Sequence, residues 1–410
     1  MNNSDSLVDS EPLFKGIKVL EIATYIFGPG SAAILSDFGA DVIKIEAPGR
    51  GDPLRYAHKA PPFMPHDFDY IWQQDNRNKR SITLDMKAPE GREVLLALVR
   101  EADVLITNFP PNVLERLNIR YEDLAPENER LIYGQITGFG EQGPEASAPG
   151  FDATAYWARS GLMDLVRTAN SEPSISSPGM GDHPSAMTMY AAIMTGLYKR
   201  ERTGRGGKVH SSLLANGMWT ASSSLSCILA GGGAVVRPNP AQPTNALLNQ
   251  YQTRDGRWLL LVILHQKKHW PSLLKALDRE DLLNDPRFID IQQRNDNASL
   301  LGPVLAETFK SRDLAEWRDR LQAQKLTFSV LATLEEAIDD PQVLANDILI
   351  DVAGHNYGRG QAVNSPFWVE GSDKVPARVG PALGADGQDI LRELGYSDDL
   401  ISALKEKCVI

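Results

Sequence analysis

The sequence predicts an α/β protein: a doubly wound (Rossmann-like) parallel-sheet large domain plus a smaller α+β domain. Three observations lead there. Short strand-like runs rich in branched residues alternate with helical runs along the first half of the chain. The connections between them are short enough for βαβ units. A glycine- and proline-rich stretch then separates this pattern from a mostly helical segment, after which sheet-plus-helix patterning resumes. The expected division is 1–215, 216–327 and 328–410.

In chain order, Gly16 to Ile22 reads as a strand, Ser31 to Phe38 as a helix stopped at Gly39, and Ala40 to Glu46 as a second strand. Gly28-Pro29-Gly30-Ser31-Ala32-Ala33 matches G-x-G-x-x-A, with Glu46 at the end of the next strand, as in a dinucleotide fold. Ala23 to Phe27, however, separate the first strand from Gly28, whereas the true fingerprint begins at the strand end. A loop extends to about Asp75. Asn76-Arg77-Asn78-Lys79-Arg80 is a basic cluster leading into a strand, Ser81 to Leu84. Pro89 to Glu101 is an amphipathic helix and Val104 to Asn108 a strand, with Asn108-Phe109-Pro110-Pro111 at its C-terminal end, where open α/β sheets bind ligands. Short helices at Glu115 to Leu117 and Tyr121 to Leu124 precede the strand Leu131 to Ile136. A helix follows at Thr154 to Arg159.

The long apolar helix expected from about Ser185 to Arg202 follows Pro178-Gly179-Met180-Gly181-Asp182-His183-Pro184 and ends in basic residues and Gly204. The strand Lys208 to Ser211 leads to a serine-rich helix, Ser212 to Ala230, and to Gly231-Gly232-Gly233, which reads as a linker or a mobile lid. A hairpin turns at Thr253-Arg254-Asp255-Gly256. Helices are expected at His269 to Leu277, Asn297 to Phe309, Ala315 to Gln324 and Leu334 to Ile338. Gln388 to Leu394 and Leu400 to Lys405 form a final helical pair, the latter capped by Ser397 or Asp398.

Composition narrows the function. A net charge of −11 argues against a nucleic-acid partner, and no apolar run is long enough for a membrane helix. The acidic, polar start resembles no signal or transit peptide, and Cys408-Val409-Ile410 is one residue short of a prenylation box. Two distant cysteines, Cys227 and Cys408, suit a reducing cytoplasm and no disulfide framework. His265 and His269 lie one helical turn apart without a third ligand, so no metal site is expected.

Asp182 admits two readings. As an N-cap it would accept backbone N–H bonds at the positive end of the helix. As a nucleophile it would be kept ionised by those same amides and made approachable by Gly179 and Gly181.

Taken together, these segments resemble the class III coenzyme A transferase family. The likeness rests on Gly16 to Ile22 with Gly39 to Glu46, Asn78-Lys79-Arg80-Ser81-Ile82, Ala102 to Phe109, Gln135 to Gly140, Pro149-Gly150-Phe151-Asp152, Gly181-Asp182 and Thr203-Gly204-Arg205-Gly206. It implies that Asp182 is the nucleophile, forming an acyl-aspartyl anhydride and then an aspartyl-CoA thioester, with oxyanions stabilised by nearby backbone N–H groups. It implies acyl-CoA and a free carboxylic acid as substrates, no permanently bound cofactor, and an interlocked homodimer whose C-terminal segment returns to the large domain. Asn108, Phe109 and Arg116 would line the CoA site, with Lys79 and Arg80 near it; the bland alternative for Arg77, Lys79 and Arg80 is a solvated turn. Tyr25 and Ile26 would flank the thioester, with Phe151, Asp152 and Gly181 supporting the nucleophile. Asp152 either hydrogen-bonds near Asp182 or caps the helix beginning at Ala153. The racemase relatives carry a histidine base at the place of Phe151, and phenylalanine abstracts no proton. The local likeness is greatest to phenyllactate/cinnamoyl and 2-hydroxyisocaproate transferases, implying an aryl or 2-hydroxy acid. A 2-methylacyl-CoA racemase, a nicotinamide enzyme and a non-catalytic CoA-binding protein remain the alternatives.

Overall fold

The computed structural model describes residues 11–233 and 237–410. The polar start of the chain, read above as resembling no signal or transit peptide, lies outside them for residues 1–10. The chain divides into two units. The larger comprises residues up to Asp164, Ser174–Gly233 and Leu344–Ile410; the smaller comprises Leu165–Pro173 and Ala234–Val343.

In the larger unit six strands form one parallel sheet: β1 (Lys18–Ile22), β2 (Asp41–Glu46), β3 (Arg80–Thr83), β4 (Val104–Thr107), β5 (Ile132–Thr137) and β6 (Gly207–Ser212). Their order is β3-β2-β1-β4-β5-β6. The direction of winding reverses between β1 and β4, and a crevice opens there beyond the strand ends. Both sheet faces are covered, so the strands read as near-continuous apolar runs. Leu20, Ile22, Ile43, Ile82, Leu105 and Tyr133 are buried in them.

The first helix, Phe27–Asp37, starts four residues earlier than the composition suggested. Gly28 and Gly30 therefore lie inside it. A Cβ on Gly28 would stand 2.6 Å from the Ala23 side chain, and one on Gly30 3.2 Å from that of Ala186. These glycines serve close packing, not a pyrophosphate, which removes the dinucleotide reading. The expected loop before Asp75 contains the helices Leu54–Ala57 and Tyr70–Asn76.

The basic cluster is not a solvated turn: its charges meet carboxylates of the chain itself. Lys79 is buried, and its ammonium meets Glu21 Oε2 (2.6 Å), the Asp75 carbonyl (2.6 Å) and the Pro29 carbonyl (2.9 Å). Glu21 also pairs with Lys44, its register partner on β2. Arg77 bonds both oxygens of buried Asp37, while Arg80 pairs with Asp41 and Glu393. Burial lowers Lys79 to about 8 despite Glu21. Burial also acts to lower Lys44, but Glu21, Asp52 and Glu46 outweigh it and hold that ammonium above its ordinary value.

The long helix spans Asp182–Thr203 and stops at Gly204, whose φ is +74°. It buries Ala186, Met189, Ile193, Gly196 and Leu197 against the sheet side, while Tyr198 is exposed. Pro184 is accommodated because first-turn amides need no intrahelical partner. The serine-rich stretch forms two helices, Leu213–Thr220 and Ser222–Leu229, followed by an exposed turn at Gly231-Gly232.

The C-terminal segment returns to the larger unit from Leu344, not Phe328. It adds a small sheet of Leu349–Ala353, Gln361–Val363 and Ala377–Arg378, and the helices Gly387–Glu393 and Asp398–Glu406. Ser397 caps the last of these by accepting the Leu400 N–H. Phe328–Val330 stays with the smaller unit because it pairs with Trp258–Val262, which itself pairs with Leu248–Gln252 across the expected hairpin. Trp270, Phe309 and Trp317 fill that unit's core.

Removing one partner from a buried ion pair strands a charge. Glu21→Gln is expected to lower unfolding stability by about 3–5 kcal/mol, read from the urea midpoint.

Candidate active site

At the reversal point, the residues after β1 and β4 tie to each other. The Asn108 carboxamide accepts the Thr24 N–H (3.0 Å) and donates to the Thr24 carbonyl (2.7 Å). The Tyr25 N–H donates to Asp52 Oδ1 (3.1 Å), and Asp52 stands 3.0 Å from the Lys44 ammonium. These bonds hold Tyr25 at a φ of +65°. Its ring meets that of Phe151 edge-on, with centroids 5.8 Å apart.

Phe151 and Asp152 arrive by a separate route. A Cβ on either Gly138 or Gly150 would stand 2.6 Å from the other's Cα, so only paired glycines allow this crossing next to the end of β5. Asp152 then opens a π-helix, Asp152–Ala158, where an α-helix from Thr154 was expected. Its carboxylate accepts the Gly181 N–H at 3.1 and 3.2 Å. Asp152 is thus the hydrogen-bonding partner of the turn before Asp182, not a cap at Ala153. A Cβ on Gly181 would lie 2.3 Å from Asp152 Oδ1, which explains the glycine.

A cavity of about 450 Å³ lies between these elements. Tyr25, Ile26, Asn108, Phe109, Phe151, Asp152 and Asp182 all border it, so seven residues singled out in the sequence converge. Phe27, Pro62, Phe63, Ile136, Ile175 and Leu213 add apolar wall, and the loop at Pro62-Phe63 carried no sequence signal. Among the described lining residues there is no Lys, Arg or His. A second cavity of about 180 Å³ shares Thr24 and Phe109 with the first and is bordered by Asp85, Met86 and Lys87. Lys87 is exposed and escaped notice because one lysine in a loop carries no pattern. Arg116 is exposed on the helix Pro111–Leu117 and borders neither cavity. Lys79 and Arg80 border neither, their charge being matched by internal carboxylates.

Asp182 is the first residue of the long helix, and its side chain makes no capping bond. The turn amides serve Asp152 instead, so they do not hold Asp182 ionised as the sequence suggested. Burial, and then the neighbouring Asp152 charge, push Asp182 up to about 7; His183 opposes the shift and Asp75 adds to it. Burial likewise raises Asp152, against the pull of the Gly181 amide. His183 Nε2 lies 3.1 Å from Asp75 Oδ1 and Nδ1 3.1 Å from the Gly179 carbonyl, and the Asp75 charge raises it to about 9. No cluster of metal-ligating side chains occurs among the described residues.

The fold and the crevice define an α/β enzyme with a half-buried carboxylate facing an apolar cavity. Residues 14–387 match CoA-transferase family III, and the chain belongs to that family of CoA-transferring enzymes. It is 31% identical over 402 residues to (R)-2-hydroxy-4-methylpentanoate CoA-transferase of Clostridioides difficile, covering 97% of this chain and 99% of that protein. It is 29% identical to cinnamoyl-CoA:phenyllactate CoA-transferase of Clostridium sporogenes, covering 96% of each. A crystal structure of a CAIB/BAIF family protein from Brucella suis superposes with a TM-score of 0.83 at 29% identity, covering 94% of this chain and all of that one.

The raised pKa of Asp182 has a stability consequence. The folded state prefers protonated Asp182, so stability is lost as pH rises from the unfolded value near 3.8 through about 7. Asp182→Asn lacks this penalty. The variant is expected to melt higher than the parent at pH 8, with the advantage shrinking towards pH 4 in thermal scans.

Proposed function

We propose that this CoA-transferase moves CoA from an acyl-CoA to a free aryl or 2-hydroxy monocarboxylic acid, with Asp182 as the nucleophile. The observation that carries the reading is the carboxylate itself. It borders an apolar cavity, is held by no hydrogen bond among the described residues, and titrates near 7. A general nucleophile with that acidity is ionised in a useful fraction at neutral pH yet remains poorly solvated.

The Asp182 carboxylate attacks the donor thioester carbonyl, expelling CoA thiolate and forming a mixed anhydride. The thiolate attacks the aspartyl carbonyl, releasing the donor acid and leaving an aspartyl-CoA thioester. The acceptor carboxylate attacks that thioester and expels the thiolate, which then attacks the acceptor carbonyl, freeing Asp182. Gly181 donates its N–H to Asp152, so the oxyanions draw on other backbone N–H groups near Asp182.

The absence of cationic groups from the described cavity lining favours an apolar acyl chain, because a second carboxylate on the substrate would be desolvated without a partner. The two cavities, which share Thr24 and Phe109 in their walls, suit an elongated thioester, with its acyl end beside Asp182, Tyr25 and Ile26. Asn108 and Phe109 would line the pantetheine arm, with Lys87 and Arg116 near the phosphates. A second copy of the chain would cover Trp219 and Leu229, which are 79% and 86% exposed; we infer a homodimer from them, to be read by light scattering.

Intact mass after incubation with cinnamoyl-CoA or 4-methylpentanoyl-CoA, followed by hydroxylamine, tests the reaction. A hydroxylamine-labile adduct at Asp182 is expected, and Asp182→Ala is expected to abolish transfer while keeping its fold. Normal turnover by that variant sinks the nucleophile assignment. Oxalate and succinate are expected to be poor acceptors beside phenyllactate or cinnamate; equal use of both classes overturns the monocarboxylate reading.

A further inference from the structure

His183 follows the nucleophile on the same helix turn, yet it borders neither cavity. Its ring nitrogens are both engaged by acceptors. Nε2 faces a carboxylate oxygen of Asp75, and Nδ1 faces the carbonyl oxygen of Gly179, each at 3.1 Å. Neutral imidazole has one donor and one acceptor nitrogen; only the cation donates from both. In either neutral tautomer, one lone pair would be pressed against another oxygen. Asp75 is itself buried, and its second oxygen has no hydrogen-bond partner, so that carboxylate depends on the ring for compensation. Gly30 and Gly179 allow the pair to fit. A Cβ on Gly30 would lie 3.3 Å from Asp75 Oδ1, and one on Gly179 3.2 Å from the ring.

We propose that His183 is an imidazolium at neutral pH that positions Asp182, clamping the Gly179–Gly181 turn through Nδ1 and offsetting the negative charges that crowd the nucleophile. The inference rests on Asp182 being that nucleophile. The helix N-terminus disfavours a cation at its second residue. Asp75, from the helix Tyr70–Asn76, and Asp182 itself favour it. Asp182 faces Asp152 from the π-helix and Asp75, both negative, and among the described residues His183 is the cation that acts against them. Behind Asp75, the Lys79 ammonium is tied to the Asp75 carbonyl and to Glu21, so its charge is already matched.

The role is one of positioning, since the ring reaches no reacting atom. A purely structural histidine would lower the rate evenly at every pH when replaced. A charged one would also move the ionisation of Asp182. The test is the pH dependence of Asp182 adduct formation at subsaturating acyl-CoA, which reports ionisations of the free enzyme. In His183→Gln the half-maximal pH is expected to rise by about one unit or more, the effect of losing one adjacent opposite charge. In His183→Lys, which restores the cation, it is expected to return towards the parental value. An unchanged midpoint in His183→Gln overturns the proposal.

A measurement on the unaltered protein guards against a variant that fails to fold. With 15N-labelled histidine, one of the seven imidazoles is expected to keep both nitrogens protonated at pH 8. Seven neutral rings at that pH overturn the proposal. A parent protein that forms no adduct overturns the nucleophile reading instead, and the nitrogen spectrum still decides the charge of His183.

Discussion

One buried carboxylate, Glu21, holds two ammonium groups apart and in place. Lys44 and Lys79 are fully enclosed, and neither could remain charged there without an anion within reach. Each lysine also donates to backbone: Lys44 to the Ala23 carbonyl, Lys79 to those of Pro29 and Asp75. The loop leaving β1, the first turn of the following helix and the end of the helix Tyr70–Asn76 are thereby tied to one charge. Asp52 extends the cluster from Lys44 to the Tyr25 amide, and Asp75 extends it to His183. The cavity is built on an ionic frame, although its own walls are apolar.

That frame divides the labour among three aspartates. Asp52 is matched by Lys44 and sets backbone, while Asp152 takes the amide of the turn before the helix. Asp182 has neither an ammonium nor an amide, and burial pushes it up to about 7. Three chemically identical side chains separate by environment alone, which is how one site can contain both anchors and a reactive group.

The alternating sheet was legible because buried parallel strands are short branched runs bounded by turn residues, as in Val104–Thr107 and Ile132–Thr137. The long helix was legible from its spacing and its terminal Gly204. Its start lies at Asp182, three residues before the Ser185 from which the spacing counted it. Lys79 and Arg80 misled because a cluster of positive charge says nothing about its partners; Glu21 lies 58 residues from Lys79. The same blindness to distant pairing placed Phe328–Val330 in the wrong unit, since only its ladder with Trp258–Val262 assigns it. Of the site, the chemical types were readable, but the direction of the turn amides was not. That depended on Asp152 approaching from across the Gly138–Gly150 crossing.

The left-handed backbone at Tyr25 bears on how such a crevice diversifies. Its anchors are main-chain bonds, to Asp52 at its own amide and to Asn108 one residue earlier. The side chain contributes nothing to them. The position is therefore a socket: its occupant can be exchanged while the loop stays still, and the cavity mouth beside Phe151 changes shape without refolding. The dihedral angle filters what enters, for valine, isoleucine and threonine pay most at positive φ, whereas asparagine, histidine and glycine are tolerated. Any variation at this residue is drawn from that restricted alphabet as long as the backbone keeps its positive φ.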